Sequence, residues 1–175
     1  MKKLITICII ALTFSSCQEQ QKIAFVDNTK VVNDYQKKKD FEEKFKIKIE
    51  NFNKKADSLQ KAIQLEAQMF QSRATKMSQS KAEEEYNALV QKKQMQDYQL
   101  NNEEKLLQAE GQKEIDTLVK QVKAFIKDYG KQNGYTFILG ANEAGSVLYG
   151  ADKQDITEEI LTMLNGVGSK SEDKE

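Results

Sequence analysis

The residue types that carry most protein chemistry are nearly absent from this chain of 175 residues. It contains no histidine, and its two cysteines, Cys8 and Cys17, both lie near its start. Ser-His and Cys-His catalysis are therefore excluded, as are the common His/Cys metal sites. No glycine precedes Gly111, so no glycine-rich loop can hold a phosphate. The carboxylate runs Glu83–Glu85 and Glu103–Glu104 have the pattern of a solvated helix, and we expect no enzyme, no metal and no cofactor.

Cys17 follows a segment with the organisation of an export signal. Two lysines precede the apolar run Leu4–Phe14, which is too short to span a bilayer, and a polar tether follows at residues 17–22. The sequence Leu12–Cys17 resembles a bacterial lipoprotein signal, in which the cysteine is lipidated and becomes the mature N-terminus. The alternative is an ordinary secretory signal over residues 1–16 with a chance cysteine. Lipidation of Cys17 would hold the chain at a membrane surface without a transmembrane helix.

The charged residues of the chain are balanced in number. Lys and Arg together number 27, and so do Asp and Glu, so the formal net charge is zero. Domains that bind nucleic acid are usually basic, because they neutralise phosphates. We therefore expect no nucleic acid partner.

The chain is organised around a stretch of about a hundred residues that lacks helix breakers. Residues 29–133 contain no proline and one glycine, and Lys, Glu, Gln, Ala and Leu dominate them, so the stretch is predicted to be helical. Small polar residues cluster at residues 72–80, and Ser80–Glu83 has the form of a capping box. We therefore predict an antiparallel hairpin with its tip near 72–80. Its arms would be Thr29–Lys76 and Lys81–Tyr129, each about 70 Å long.

Apolar residues recur along both arms at spacings of three and four, which predicts a seam for one partner helix, as in a coiled coil. On the first arm the seam comprises Phe41, Phe45, Ile49, Phe52, Ala56, Leu59, Ile63, Ala67, Phe70, Ala74 and Met77. On the return arm it comprises Ala82, Tyr86, Leu89, Leu100, Leu107, Ile115, Leu118, Val122, Phe125 and Tyr129. Four seam positions of the return arm fall on Lys93, Gln96, Glu104 and Gly111. The arms should therefore be soft and able to splay.

Six large apolar residues lie off this seam. They are Ile47, Leu65 and Met69 on the first arm and Met95, Tyr98 and Leu106 on the return arm. Sparse apolar groups in a polar field suit weak contacts, and flexible methionines suit partners of varied shape. The alternative is that isolated exposed apolar residues need no explanation. Both interpretations stay open from the sequence.

Short apolar runs flank the helical stretch. Ile23–Asp27 is predicted to be a strand, and Tyr135–Leu139 and Ser146–Tyr149 are predicted to form an antiparallel β-hairpin. A short helix should follow over Asp152–Leu164, capped through Asp155–Glu158, and residues 165–175 should form a flexible tail.

Three short strands and one helix make a poor core alone, so residues 23–28 and 134–164 are predicted to form a β body shared between copies of the chain. The predicted body residues are Phe25, Val26, Phe137, Leu139, Val147, Leu148 and Tyr149. The fold class is therefore α+β and mostly helical, a long antiparallel helical hairpin that projects from a small β body assembled by oligomerisation.

The order of these parts resembles the Skp/OmpH family of periplasmic chaperones. The resemblance rests on the signal, the strand Ile23–Asp27, the charged arms, the runs Tyr135–Leu139 and Val147–Tyr149, and Asp155–Thr157 before a final helix. It implies a homotrimer in the periplasm whose arms enclose unfolded outer-membrane proteins and hold them without ATP. It also implies that the off-seam arm residues contact clients and that no residue is catalytic. The alternative function is a structural coiled-coil lipoprotein of the envelope that binds a fixed partner.

Overall fold

The computed structural model describes residues 21–142 and 146–169, excluding the side chains of residues 167–169. Cys17 and the predicted signal lie outside these ranges. In chain order the elements are β1 (Ile23–Asp27), α1 (Asn28–Asp34), α2 (Gln36–Ala74), α3 (Gln79–Gln132), β2 (Phe137–Ala141), a 3₁₀ turn (Asp152–Gln154) and α4 (Thr157–Ser169). The predicted fold class is confirmed for the single chain, because two long helices form a hairpin above a small sheet.

The arms α2 and α3 run antiparallel, as four ion pairs between them show. The pairs are Lys48–Glu110, Lys55–Glu103, Glu66–Lys92 and Arg73–Glu85. Between the first two pairs, and again between the last two, the chain advances seven residues on α2 and returns seven on α3. This constant register makes the hairpin regular along its length. The pairs themselves are exposed and each contributes little to stability.

The predicted seam of the first arm is confirmed. Every seam residue from Phe41 to Met77 is half-buried, and of the residues between them only Glu66 is also half-buried. Two aromatic contacts mark the seam: Phe41 stacks on Phe45 at a centroid distance of 5.2 Å, and Phe70 meets Tyr86 at 6.2 Å. Burial of apolar side chains between the helices therefore holds the arms together.

Two of the polar seam positions predicted for the return arm are wrong. Lys93 and Glu104 are exposed, and Glu103 is half-buried instead and pairs with Lys55 at 2.5 Å. Gly111 does lie at the seam, but it is not a gap. A Cβ on this residue would lie 3.0 Å from Cζ of Phe45, so the ring of Phe45 occupies the space that a larger residue would take.

The tip of the hairpin lies at Thr75–Ser78, and the predicted capping box at Ser80 is wrong. Ser78 is the N-cap of α3, since its backbone is extended (ψ 150°) and its side chain accepts from the N–H of Lys81 at 3.4 Å. Ser80 already lies inside the helix. The first arm ends at Ala74 rather than at residue 76.

The first arm is interrupted at its base, which differs from the continuous helix predicted. Tyr35 is extended (φ −63°, ψ 121°) and separates α1 from α2. Asn165 of α4 satisfies the backbone on both sides of this break. Its side chain accepts from the N–H of Gln36 at 2.9 Å and donates to the carbonyl of Asp34 at 3.3 Å. The break therefore places α1 in the body and α2 in the arm.

The body contains a parallel pair of strands. β1 pairs with β2 in a register that runs from Ile23 opposite Phe137 to Asp27 opposite Ala141. Two strands so far apart in the chain can pair because the arms leave the body and return to it. The prediction of a strand at Tyr135–Leu139 is displaced by two residues, because Gly134 turns the chain (φ 67°) and Tyr135 stacks on Tyr129 at 5.9 Å.

The predicted antiparallel partner at Ser146–Tyr149 is wrong. Ser146–Leu148 form a bend, and among the described residues β1 and β2 are the only strands. The second edge of β1 is occupied by Asp155, which bridges to Phe25, while the N–H of Ile156 donates to the Phe25 carbonyl at 3.1 Å.

The same bridge explains where α4 begins. Because the backbone at Asp155 is extended (ψ 113°), the helix predicted over Asp152–Leu164 is divided into a 3₁₀ turn and α4. The Asp155 carboxylate accepts from the N–H of Thr157 at 2.9 Å. It therefore does not bond the N–H of Glu158 in the predicted manner.

The core lies entirely in the body and the base of the arms. Its buried members are Ala24, Val26, Val31, Tyr35, Leu118, Val122, Tyr129, Ile156, Ile160 and Leu164. They come from β1, α1, the end of α3 and α4, which explains why α4 packs beside α1. Each large apolar side chain buried here stabilises the fold by about 1.5–3 kcal/mol.

Candidate interaction surfaces

One exposed side of the hairpin is marked by the cross-arm ion pairs, and we call it the ion-pair face. Each of its charged residues follows a seam residue by three positions, as Lys48 follows Phe45 and Glu85 follows Ala82. The residue just before a seam position lies on the same side, because both offsets rotate in the same sense around a helix of 3.6 residues per turn. The ion-pair face comprises the four ion pairs with Asn51, Met69, Ala88, Met95 and Leu106.

The opposite side contains the residues that follow a seam position by one, and we call it the polar face. On α2 these are Lys46, Glu50, Asn53, Asp57, Gln60, Gln64, Gln68 and Gln71. On α3 the same series comprises Glu83, Asn87, Val90, Gln94, Asp97, Asn101 and Gln108. All of these are exposed except the half-buried Val90, which is also the only apolar member along these two fully described helices.

The six predicted contact residues of the arms are all at least half exposed: Ile47, Leu65, Met69, Met95, Tyr98 and Leu106. Met69, Met95 and Leu106 lie on the ion-pair face, since each immediately precedes a seam position. The other three lie two positions from the seam and therefore on the outer back of their helices. The structure brings the first three to one side of the hairpin, and none of the six lies on the polar face.

A groove lies on the ion-pair face near the tip. Its apolar lining comes from Met69, Phe70, Ala88 and Leu89, and its volume is about 300 Å³. The ion pairs Glu66–Lys92 and Arg73–Glu85 close its two ends. A second groove lies nearer the body, lined by Asn51, Phe52 and Leu107 and bracketed by Lys48–Glu110 and Lys55–Glu103.

These grooves were missed by sequence reasoning, which gave the seam but not the register between the arms. The signal that could have revealed them is a repeat of 18 residues. Lys48 and Lys55 on α2 recur as Glu66 and Arg73, and the partners on α3 recur at the same interval in the opposite direction. Eighteen residues are five full helical turns, so the repeated pairs fall on the same face.

The body exposes a second apolar surface. Phe137 and Leu139 of β2 are about half exposed, and Leu148 and Tyr149 are almost fully exposed, at 92% and 88%. Phe25 and Val147 are half-buried. Val26 differs from the other predicted body residues, because it is fully buried in the core of its own chain. Among the described residues β2 pairs only with β1, so its outer edge is open.

Polar contacts at the base of the hairpin fix the body and shift three pKa values. Burial raises the pKa of Tyr129, and its hydrogen bond to Glu159 at 2.6 Å raises it further. The hydrogen bond to Lys39 lowers the pKa of Asp34, and the hydrogen bond to Glu158 raises the pKa of Lys30. Across the described ranges, no group of acidic residues could hold a metal ion, and no helix has the length and apolarity needed to cross a bilayer.

Comparisons with known proteins give two matches of different kinds. A family model described as outer membrane protein (OmpH-like) matches residues 22–164. A crystal structure of a candidate outer membrane chaperone (OmpH-like) from Caulobacter crescentus CB15 superposes with a TM-score of 0.74, at 16% identity, over 83% of this chain and 85% of that chain. At that identity the likeness shows the fold alone. No curated protein matches the chain by sequence.

Proposed function

This chain belongs to the OmpH-like outer membrane protein family, and from that membership we propose that it is a chaperone that holds unfolded outer-membrane proteins in the periplasm without ATP. The observation that carries the proposal is the set of six large apolar side chains, each at least half exposed, dispersed along both arms. Dispersed contacts of this kind hold a chain weakly at many points without fixing its shape. No single arm residue should then be essential for client binding.

Three hairpins around one body would convert these weak contacts into stable holding. Simultaneous contacts from linked arms act at high effective concentration, so avidity replaces a tight site. The half-exposed Phe137 and Leu139 and the open edge of β2 support assembly through the body, because an exposed strand edge favours pairing with another chain. We therefore propose a homotrimer.

A lipid on Cys17 would place the body, rather than the tip, at the membrane. Only a few residues separate Cys17 from β1, which begins at Ile23. Five residues of extended chain span at most about 18 Å. The arms would then project away from the membrane surface, and clients could be released beside it by competition with their own folding.

The experiment uses the chain from Gln18 to Glu175, which contains every described contact. Size exclusion with light scattering gives its mass with and without an outer-membrane β-barrel protein diluted from urea, and turbidity follows aggregation of that client. A trimer that keeps the client soluble in a discrete complex without ATP is the expected result. A trimer that leaves the client to aggregate would contradict the chaperone function and favour a scaffold lipoprotein with a fixed partner. A monomer would contradict the proposed assembly.

A further inference from the structure

The ion-pair face and the polar face differ in what they offer to another chain. The ion-pair face carries exposed apolar side chains and two grooves, whereas every exposed residue of the polar face along α2 and α3 is an amide or a charge. A ligand that gains free energy by burying apolar surface gains almost nothing on the polar face. The two faces therefore cannot contribute equally to holding a client.

We propose that the ion-pair face is the client-binding side of each hairpin, and that its two grooves are equivalent subsites for the apolar side chains of an extended, unfolded polypeptide. This inference rests on the proposed chaperone function and assigns a location to it. The subsites repeat at an interval of 18 residues on both arms. That interval separates them by about 27 Å along the hairpin, which is the length of about eight residues of extended chain.

The dimensions of each groove suit an extended segment. The ion pairs that close a groove are seven residues apart on each arm, or about 10 Å. In an extended chain, side chains that point the same way are about 6.6 Å apart. One groove therefore accepts two such side chains, between the ion pairs Glu66–Lys92 and Arg73–Glu85 in the tip groove. Met69 borders that groove and, being unbranched and flexible, can adapt to side chains of different shape.

The charges around the grooves explain why binding would not depend on the client's sequence or direction. Each end of a groove carries one positive and one negative side chain, as Glu66 and Lys92 do. A charged residue beside the client's apolar groups therefore finds an opposite charge at either end. Exchange of partners is inexpensive, because exposed ion pairs contribute only about 0–1 kcal/mol.

The test compares two triple variants that remove similar volumes from opposite faces. Met69→Ser, Met95→Ser and Leu106→Ser change the ion-pair face, and Gln68→Ser, Gln94→Ser and Gln108→Ser change the polar face of the same two helices. Each is made in the chain from Gln18 to Glu175, and the affinity for a labelled outer-membrane β-barrel protein diluted from urea is titrated. We expect the first triple to weaken binding roughly tenfold or more and the second to stay within about twofold.

A second measurement protects the test against a variant that fails to fold. The chain from Gln18 contains no cysteine, so a single cysteine at Met69 or at Gln68 can carry a photo-crosslinker. The client should crosslink at position 69 and not at position 68. Equal crosslinking, or equal weakening by the two triples, would overturn the assignment of faces while the chaperone function stands. Failure of the unmodified chain to bind any client would overturn both.

Discussion

Gly150 and Gly140 offer a matched pair of substitutions in the body, because a methyl group at either position would collide with a side chain. At Gly150 an added Cβ would lie 2.3 Å from Cε1 of Phe25 and 2.7 Å from its Cδ1. At Gly140 it would lie 2.2 Å from Nδ2 of Asn28. Neither glycine has a positive φ, so the backbone accepts alanine at both. The outcome depends on whether the neighbouring side chain can move.

Phe25 cannot move easily. Its backbone is paired with Leu139 on one side and bridged to Asp155 on the other, and its side chain is half-buried. An ordinary contact begins at 3.4 Å, so the ring would have to retreat by about 1 Å or turn toward solvent. Overpacking of this kind costs about 1–3 kcal/mol, and loss of the ring's burial costs about as much. We expect Gly150→Ala to lower the free energy of unfolding by about 2 kcal/mol.

Asn28 can move, because the contacting atom is the end of an exposed side chain at the start of α1. A small rotation about its side-chain bonds would make room for the methyl group. Alanine is also favoured over glycine inside a strand by about 0.5–1 kcal/mol. We therefore expect Gly140→Ala to leave the free energy of unfolding unchanged or to raise it by up to about 1 kcal/mol.

Urea unfolding followed by circular dichroism at one chain concentration distinguishes these outcomes. With a slope of about 2 kcal/mol per molar urea, the midpoint should fall by about 1 M for Gly150→Ala and should not fall for Gly140→Ala. A fall of equal size in both variants would show that the chemistry of the neighbour does not decide the cost. No fall at Gly150 would refute the packing of the Phe25 ring against this residue.

Three further predictions concern the body and the arms. Ile160 is fully buried, so Ile160→Ala should cost about 2–5 kcal/mol in urea unfolding, whereas Met163→Ala, at a site 43% exposed, should cost under about 1 kcal/mol. Because the folded chain raises the pKa of Tyr129, its neutral form is favoured, and this contribution is complete below pH 10 and lost as the pH rises above it. Stability measured between neutral pH and pH 11, an alkaline limit of about one unit above the tyrosine reference value, should therefore decline less steeply in Tyr129→Phe; an unchanged slope would contradict this. Lys92→Gln should change the free energy of unfolding by under about 1 kcal/mol, and a double-mutant cycle with Glu66→Gln should give a coupling of similar size; a coupling well above that would show that the pair is not freely exchangeable.

The parts of the fold that depend on local pattern were predictable from the sequence. The spacing of Phe41, Phe45 and the following apolar residues identified the seam, because a helix buries the same side every three or four residues. Ile23–Asp27 was identified as a strand with its observed limits, since a short apolar run between polar segments suits few other structures. The turn at Gly134 followed from the preference of glycine for positive φ.

The parts that depend on distant contacts were not predictable in this way. Nothing near Tyr35 breaks a helix, and the interruption there is stabilised by Asn165, which lies 129 residues away from Gln36. The bend at Ser146–Leu148 has strand-forming residues, but Asp155 occupies the β1 edge that a third strand would need. The grooves likewise depend on the register between two arms, which periodicity within one arm does not determine.

Burial along the hairpin is graded from the body to the tip, and this gradient connects the fold to its proposed work. α2 has no buried residue, and the buried residues of α3 all lie between Leu118 and Gly130, beside the body. Toward the tip the arms are joined by half-buried seam residues and by exposed ion pairs, which resist separation only weakly. The arms can therefore open from the tip while the core around Val26 and Ile160 stays intact. A chaperone that holds clients of different size needs arms that open and a body that does not, and in this chain separate sets of residues meet the two needs.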